Sequence, residues 1–268
     1  MLEVNRSTYY KNKNTKPSLR EQQNLALSKT IEDIFHENKG RYGSIRITKC
    51  LAKTGVRISQ KRVLKLMRGM GLRCIHRKKY RPQSSKYKPP EGKENLLMQN
   101  FTANRPNEKW LTDITYIDTQ KNGWTYLALV IDLFSRMIVG YAYKLNMDST
   151  LVVEAVNTAI MRRGTPNELI IHTDLGSQYT SDDFEKLFVG IPIRHSYSKK
   201  ACPYDNSPME SFNATLKKEE VYTTIYADYD TARLKLFEYI EGYYNRNRLH
   251  SSLNYETPHD FESYYYDT

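Results

Sequence analysis

Between Glu37 and Glu91 the chain carries no carboxylate, although that interval of 53 residues holds 17 Lys and Arg side chains, from Lys39 to Lys88. A solvated helical surface mixes signs, because opposite charges three or four residues apart attract and like charges repel. A segment so long and so one-sided calls for a polyanion as partner. Nucleic acid fits better than an anionic membrane, which would need an amphipathic helix with bulky apolar residues to spare, and the interval has none. The charge also divides the chain. Residues 1–100 hold 24 Lys plus Arg against 7 Asp plus Glu, net +17, and residues 101–268 hold 17 against 23, net −6.

The basic part reads as helical. Ser18 with Glu21 forms a capping-box pattern opening a helix whose apolar residues Leu27, Ile31, Ile34 and Phe35 share a face. After Gly40 and Gly43, Ser44 is placed to cap a second helix to about Lys53, with Ile47, Cys50 and Leu51 inward. Thr54-Gly55 makes a turn, and Ser59 caps a third helix with a Val63, Leu66, Met67 and Met70 stripe. Two short helices joined at a Gly turn resemble a helix-turn-helix, which leaves Gln60, Lys61, Lys65 and Arg68 as the candidates for DNA contact. A basic three-helix bundle without sequence preference is the other reading. Pro82, Ser84-Ser85, Pro89-Pro90 and Gly92 mark a linker. The expected division is an all-α domain over 1–74, a basic linker over 75–101, a catalytic core over 102–225, and a C-terminal helix and tail over 226–268 that completes the core.

The second part changes period. WLTDITYID (110–118) and GWTYLALVID (123–132) are rich in aromatic and β-branched residues, and Lys121-Asn122-Gly123 between them signals a hairpin. A third run, Met137 to Ala142, extends it to an antiparallel meander. Helix over about Ser149 to Arg163, a buried strand at Leu169 to His172, helix from about Ser181 and a strand at Ile191 to His195 follow. The result is an α/β fold, a mixed five-stranded sheet with flanking helices, the arrangement of ribonuclease H-like folds. A last helix with Leu234, Phe237 and Ile240 inward closes the chain. No apolar run approaches the roughly 20 residues that span a bilayer, and no secretory signal is visible, so a cytoplasmic chain is expected. Cys50, Cys74 and Cys202 are odd in number and lack Cys-x-x-Cys spacing, which argues against disulfides and structural zinc.

Three acids stand out as candidate site residues. Asp113 lies inside the first strand, where an unpaired carboxylate costs several kcal/mol or titrates to neutral. Asp174 stands just past the fourth strand, where open α/β sheets collect ligands; a turn residue before Gly176 is the plain alternative. Glu210 has a complete structural explanation, because Ser207-Pro208-Met209-Glu210 matches a capping box. Yet Glu210, Asn213 and Lys217 share one edge of that helix while Met209, Phe212 and Leu216 share another. Asp132 reads as a turn or ion-pair residue, and His172 as structural. Arg246 and His250 carry no assigned role.

WLTDITY at Asp113, IDLFSR from Ile131, HTDLGSQY at Asp174, YDNSPMESFNATLK through Glu210, and YNRNRLHSSLNYETP from Tyr244 together resemble one family. It is the catalytic protein of bacterial insertion sequences, the OrfB-type transposases of the DDE class, related to retroviral integrases. The resemblance covers essentially the whole chain. It implies that Asp113, Asp174 and Glu210 hold two Mg²⁺ ions, with Mn²⁺ able to substitute, and that Lys217 holds DNA near the cut; Lys199 and Lys200, in the loop before that helix, read either as further phosphate contacts or as solvated loop charges. Hard oxygen ligands suit that metal, and two such ions clamp the attacking and leaving oxygens of an in-line displacement. The implied activity is cleavage and strand transfer of insertion-sequence ends, on double-stranded DNA, as a homo-oligomer, in the bacterial cytoplasm at the nucleoid. A metal-dependent nuclease without strand transfer, and a DNA-binding regulator with an inactive integrase-like fold, are the alternatives. The chain departs from retroviral integrases in lacking paired His/Cys spacing for an N-terminal zinc module. It also lacks the leucine zipper that an upstream OrfA-type frame supplies by fusion or as a partner.

Overall fold

The computed structural model describes residues 17–75, 93–165, 167–199 and 202–267. They fall into two compact units, divided between His76 and Arg77.

The first unit is three helices: α1 (Leu19–Glu37), α2 (Ser44–Lys53) and α3 (Gln60–Gly69). The capping box of α1 is present, with Ser18 Oγ accepting from Glu21 N and Glu21 accepting from Ser18 N. Ser59 caps α3 as expected, whereas α2 begins at Ser44 itself with Gly43 in the cap position. Ile31, Ile47, Leu51 and Val63 are fully buried and Met67 nearly so, all on the predicted inward stripes, whereas Leu27, Ile34, Cys50, Leu66 and Met70 of those stripes are only half-buried. Arg62 is a structural cation, since its guanidinium donates twice to Asn24 Oδ1, at 3.0 and 2.7 Å, and ties α3 to α1.

The second unit is built on β1 (Lys109–Thr119), β2 (Gly123–Asp132), β3 (Ile138–Lys144), β4 (Leu169–Thr173) and β5 (Ile193–Tyr197). The strand order is β3-β2-β1-β4-β5. The first three strands are antiparallel neighbours, and β4 and β5 run parallel to β1. The hairpin needs Gly123 at φ 67°, a left-handed backbone that glycine adopts without strain. The pleat sends alternate residues of β2 to opposite faces: Ala128 and Val130 meet α4 (Ser149–Arg163) and α5 (Asp182–Lys186), while Leu127, Leu129 and Ile131 face the C-terminal helices. Gly140 lets α4 lie against β3, because a Cβ there would come within 2.3 Å of the Ala155 carbonyl oxygen.

On the other face lie α6 (Ser207–Leu216), continued by a π-helix over Lys217–Val221, and α7 (Tyr229–Phe237), continued by a π-helix over Glu238–Tyr244; α8 (Pro258–Tyr266) ends the fold. The inward stripe of α7 differs from the expected one. Leu234 and Phe237 are more than half exposed, and Ala232, Leu236, Tyr239, Ile240 and Tyr244 are buried instead. Residues three apart drift about 60° per step around a helix, so Phe237 and Leu234 fall progressively outside the stripe that Ile240 shares with Leu236 and Ala232. Residues 93–100, read as linker, belong to this unit, since Leu97 is buried and the Glu94 carbonyl accepts from Tyr197 N at 2.9 Å. The Pro-rich remainder of that linker lies outside the described residues. Among the described residues no helix is long and apolar enough to cross a membrane.

Candidate active site

Parallel pairing of β1 with β4 sets Leu111 opposite His172. Two residues further along each strand direction stand Asp113 and Asp174, so one register fixes two distant acids side by side. Asp113 is half-buried; its Oδ1 accepts from Ile114 N and its Oδ2 from Asn213 Nδ2, both at 2.9 Å. That second bond locates α6, because Asn213 lies one turn beyond Glu210 on the same side of the helix. Asp174 Oδ1 accepts from Gly176 N at 2.9 Å, in the turn that follows β4.

Glu210 is exposed and takes no part in capping α6. Asn206, not Ser207, stands at the cap position, and a 3₁₀ turn over Pro203–Asn206 runs directly into the helix. The capping-box explanation of Glu210 is therefore removed, because a helix that continues from a preceding turn has no free first-turn amide for the box to satisfy.

The electrostatics are those of an uncompensated acidic cluster. Asp113 is pushed up to about 7, first by burial, then by the charges of Asp174 and, more weakly, Glu210. Burial raises Asp174 and Glu210 as well. Beneath them Tyr179, fully buried and hydrogen-bonded to Thr112 Oγ1 at 2.9 Å, is raised well above the ordinary phenol value by burial and then by Asp113 and Asp174. The oxygen-only donor set and the unrelieved repulsion fit a hard divalent cation. Among the described residues, however, no three His, Cys, Asp or Glu side chains converge as a ready-made metal cage. The charges of Asp174 and Glu210 both reach Asp113.

The other candidates are dispersed. Lys199 is exposed, with its backbone N bonded to the buried Asp205, and Lys200 lies outside the described residues. Lys217 lines a cavity of about 550 Å³ with Tyr116, Asp118 and Trp124. In the first unit Lys61, Lys65 and Arg68 are exposed along α3, opposite the buried Val63 and Met67, and Gln60 Nε2 donates to Ser44 Oγ at 3.3 Å. Asp132, the last residue of β2, braces the loops beside it: its carboxylate accepts from Asn107 N and Phe134 N. His172 is buried and bonded through Nδ1 to Ser196 Oγ at 2.8 Å. Sequence reasoning passed over Tyr179 and the bond from Asn213 to Asp113. The signal for the latter was available, since Asn213 is the one other short polar residue on the Glu210 edge.

Integrase core domain models match residues 103–203 and 192–258, and an HTH-like domain model matches residues 21–80. The transposase for insertion sequence element IS904 of Lactococcus lactis subsp. lactis is 43% identical over 250 residues, 93% of this chain and 98% of that protein. Transposase InsF for insertion sequence IS3A of Escherichia coli K12 is 37% identical over 265 residues, 98% of this chain and 92% of that one. In structure, a chain of the simian T-cell lymphotropic virus intasome in complex with PP2A regulatory subunit B56 gamma matches with TM-score 0.50 at 18% identity, covering 80% of this chain and 73% of that chain; this likeness is one of fold. With identity of that order sustained from the helix-turn-helix to the C-terminal motif, the chain belongs to the insertion-sequence transposases that carry an integrase core domain.

Proposed function

We propose that Asp113, Asp174 and Glu210 form the catalytic and metal-holding centre of a polynucleotidyl transferase that cuts the ends of its insertion sequence and joins a DNA 3′-hydroxyl to a new phosphodiester. The observation that carries this reading is the side-by-side setting of Asp113 and Asp174 by strand register, with the Glu210 helix pinned to them through Asn213. Two Mg²⁺ ions, or Mn²⁺ in their place, would be held by the three carboxylates and would supply activation of the nucleophile and stabilisation of the leaving 3′-oxygen.

The protein's own part is positioning and charge. Asn213 holds Asp113 in one rotamer, and the Gly176 amide does the same for Asp174. Lys199, Lys200 and Lys217 bind backbone phosphates near the cut, and α3 presents Gln60, Lys61, Lys65 and Arg68 to duplex DNA. No Ser, Cys or Tyr nucleophile is required, because water or a DNA hydroxyl attacks phosphorus directly. Work on two DNA ends calls for a homo-oligomer on DNA, joined by an upstream-frame product that supplies a leucine zipper as partner or fusion.

The test is Asp174→Asn, which changes charge and little else. Labelled element ends with Mg²⁺ should be bound as by the parent chain, with nicking and joining both reduced at least about 10³-fold. Undiminished nicking by the variant would remove Asp174 from the centre. Nicking without joined products in the parent would reassign the chain as a nuclease.

A further inference from the structure

Three motifs singled out in the sequence left residues with no role: Arg136 of IDLFSR, the hydroxyl residues of SPMESFNAT, and His250 with Ser251 and Ser252 of RLHSS. In the fold they line one cavity of about 380 Å³, walled by the rings of Phe101, Phe212 and Tyr244. Ser207, Ser211 and Thr215 recur every fourth residue and so form a hydroxyl stripe along α6. Ser211 follows Glu210, and successive helical residues point about 100° apart, so a single helix presents the acid on one flank and this cavity on the next.

Arg136 is the feature that demands an occupant. It is half-buried in a turn with its backbone in the left-handed region at φ 60°, and among the described residues its guanidinium makes no hydrogen bond and no ion pair. The buried Arg163 and Arg248 are, by contrast, both paired with glutamates. Burial pulls the Arg136 pKa down from the ordinary value, and the nearby Tyr244 and Asp132 oppose that shift without reversing it. A guanidinium carries five N–H donors, and leaving them unmet in a half-buried place is costly. No Asp or Glu lines the cavity, which offers cationic and hydroxyl donors between aromatic walls.

We propose that this cavity receives a backbone phosphate of the DNA strand running past the carboxylate centre, with Arg136 as the charged contact and Ser207, Ser211 and Thr215 as hydroxyl donors. A guanidinium fork matches phosphate oxygens, and the aromatic walls accommodate the attached sugar. The contact lies on the neighbouring flank of the helix that carries Glu210, and therefore sets the strand's register relative to the acids. This rests on the DNA-transferase reading above.

The full-length chain is titrated with a labelled DNA duplex over a series of salt concentrations. Arg136→Gln should weaken binding roughly five- to tenfold at low salt and lower the salt slope by about one, as loss of one phosphate contact requires. Ser211→Glu, at an exposed position, should fold normally and weaken binding at least as much by repulsion, which covers the case of an Arg136 variant that misfolds. Arginine modification by phenylglyoxal with peptide mapping should label Arg136 in the free chain and spare it under duplex, with Arg163 and Arg248 unreactive throughout.

Wild-type affinity and slope in both variants, or Arg136 labelling unchanged by saturating duplex, would overturn the proposal. So would protection by millimolar orthophosphate with none by duplex, which would mark a small-anion site. A parent chain that binds and cuts DNA while Arg136 is insensitive sinks only this inference. A parent chain that binds no DNA sinks the transferase reading with it.

Discussion

Asp113 shows that the site costs stability. Its carboxyl is raised from 3.8 to about 7 by burial and by its acidic neighbours. A carboxylate with a raised folded-state pKa imposes no penalty below pH 3.8 and its full penalty above pH 7. Asp113→Asn should therefore stabilise the protein at pH 8 by roughly 2–4 kcal/mol, because each tenfold change in a protonation equilibrium corresponds to about 1.4 kcal/mol, while abolishing activity. At pH 5 the gain should be less than half as large, and added Mg²⁺ should raise the melting temperature of the parent more than that of the variant. Thermal unfolding at the two pH values checks this; a variant no more stable than the parent at pH 8 contradicts it. Gly176 is tuned to the same site, since a Cβ there would lie 2.9 Å from Asp174 Oδ1 and 3.3 Å from Gln178 Oε1. Gly176→Ala should displace that carboxylate and lower the nicking rate roughly ten- to a hundredfold with an unchanged melting temperature; a parent-like rate would show that the turn tolerates the methyl. At this scale the residue types were legible. Which of them touch was not: the Asn213 to Asp113 bond spans 100 positions.

Among the elements, the run from α6 into its π-helix couples the site to the end of the chain. Glu219 in that π-turn accepts from Arg248 Nε and Nη2, each at 2.9 Å in its shorter bond, and from the Tyr239 hydroxyl at 3.0 Å. Both charged side chains are buried. Glu219→Gln would leave the Arg248 charge without its counterion and should cost about 3–5 kcal/mol in chemical denaturation. A loss under about 1 kcal/mol would mean that the pair is structurally idle. Helices were easier to find than to orient. The run from Tyr229 onward was recognised as helix, but which of its apolar residues face inward is decided by what packs against it: Ala232, Leu236 and Ile240 are buried while Leu234 and Phe237 are not. The Glu210 cap is a second case, since the Ser-Pro-Met-Glu pattern is sound local chemistry that the preceding 3₁₀ turn pre-empts.

For the molecule as a whole, the charge division predicts a division of labour. A chain lacking residues 1–92 retains Leu97 and the strap along β5, so it should fold while losing tight, salt-sensitive duplex binding. The salt slope of the truncated chain measures this, and a slope as steep as the parent's would place the main DNA contacts in the core. The sequence by itself determined the class of fold, the basic helical region and the three acids worth testing. Periodicity, turn residues and charge runs are local properties that survive in a linear text, and the family motifs added their order along the chain. Tertiary structure alone decided that Asp113 and Asp174 share a register, that Glu210 is released from capping, and that Arg136 lines one cavity with serines 71 to 116 positions away. Those are relations between distant segments, fixed by strand pairing and packing, and proximity of that kind leaves no trace in the spacing of the residues concerned.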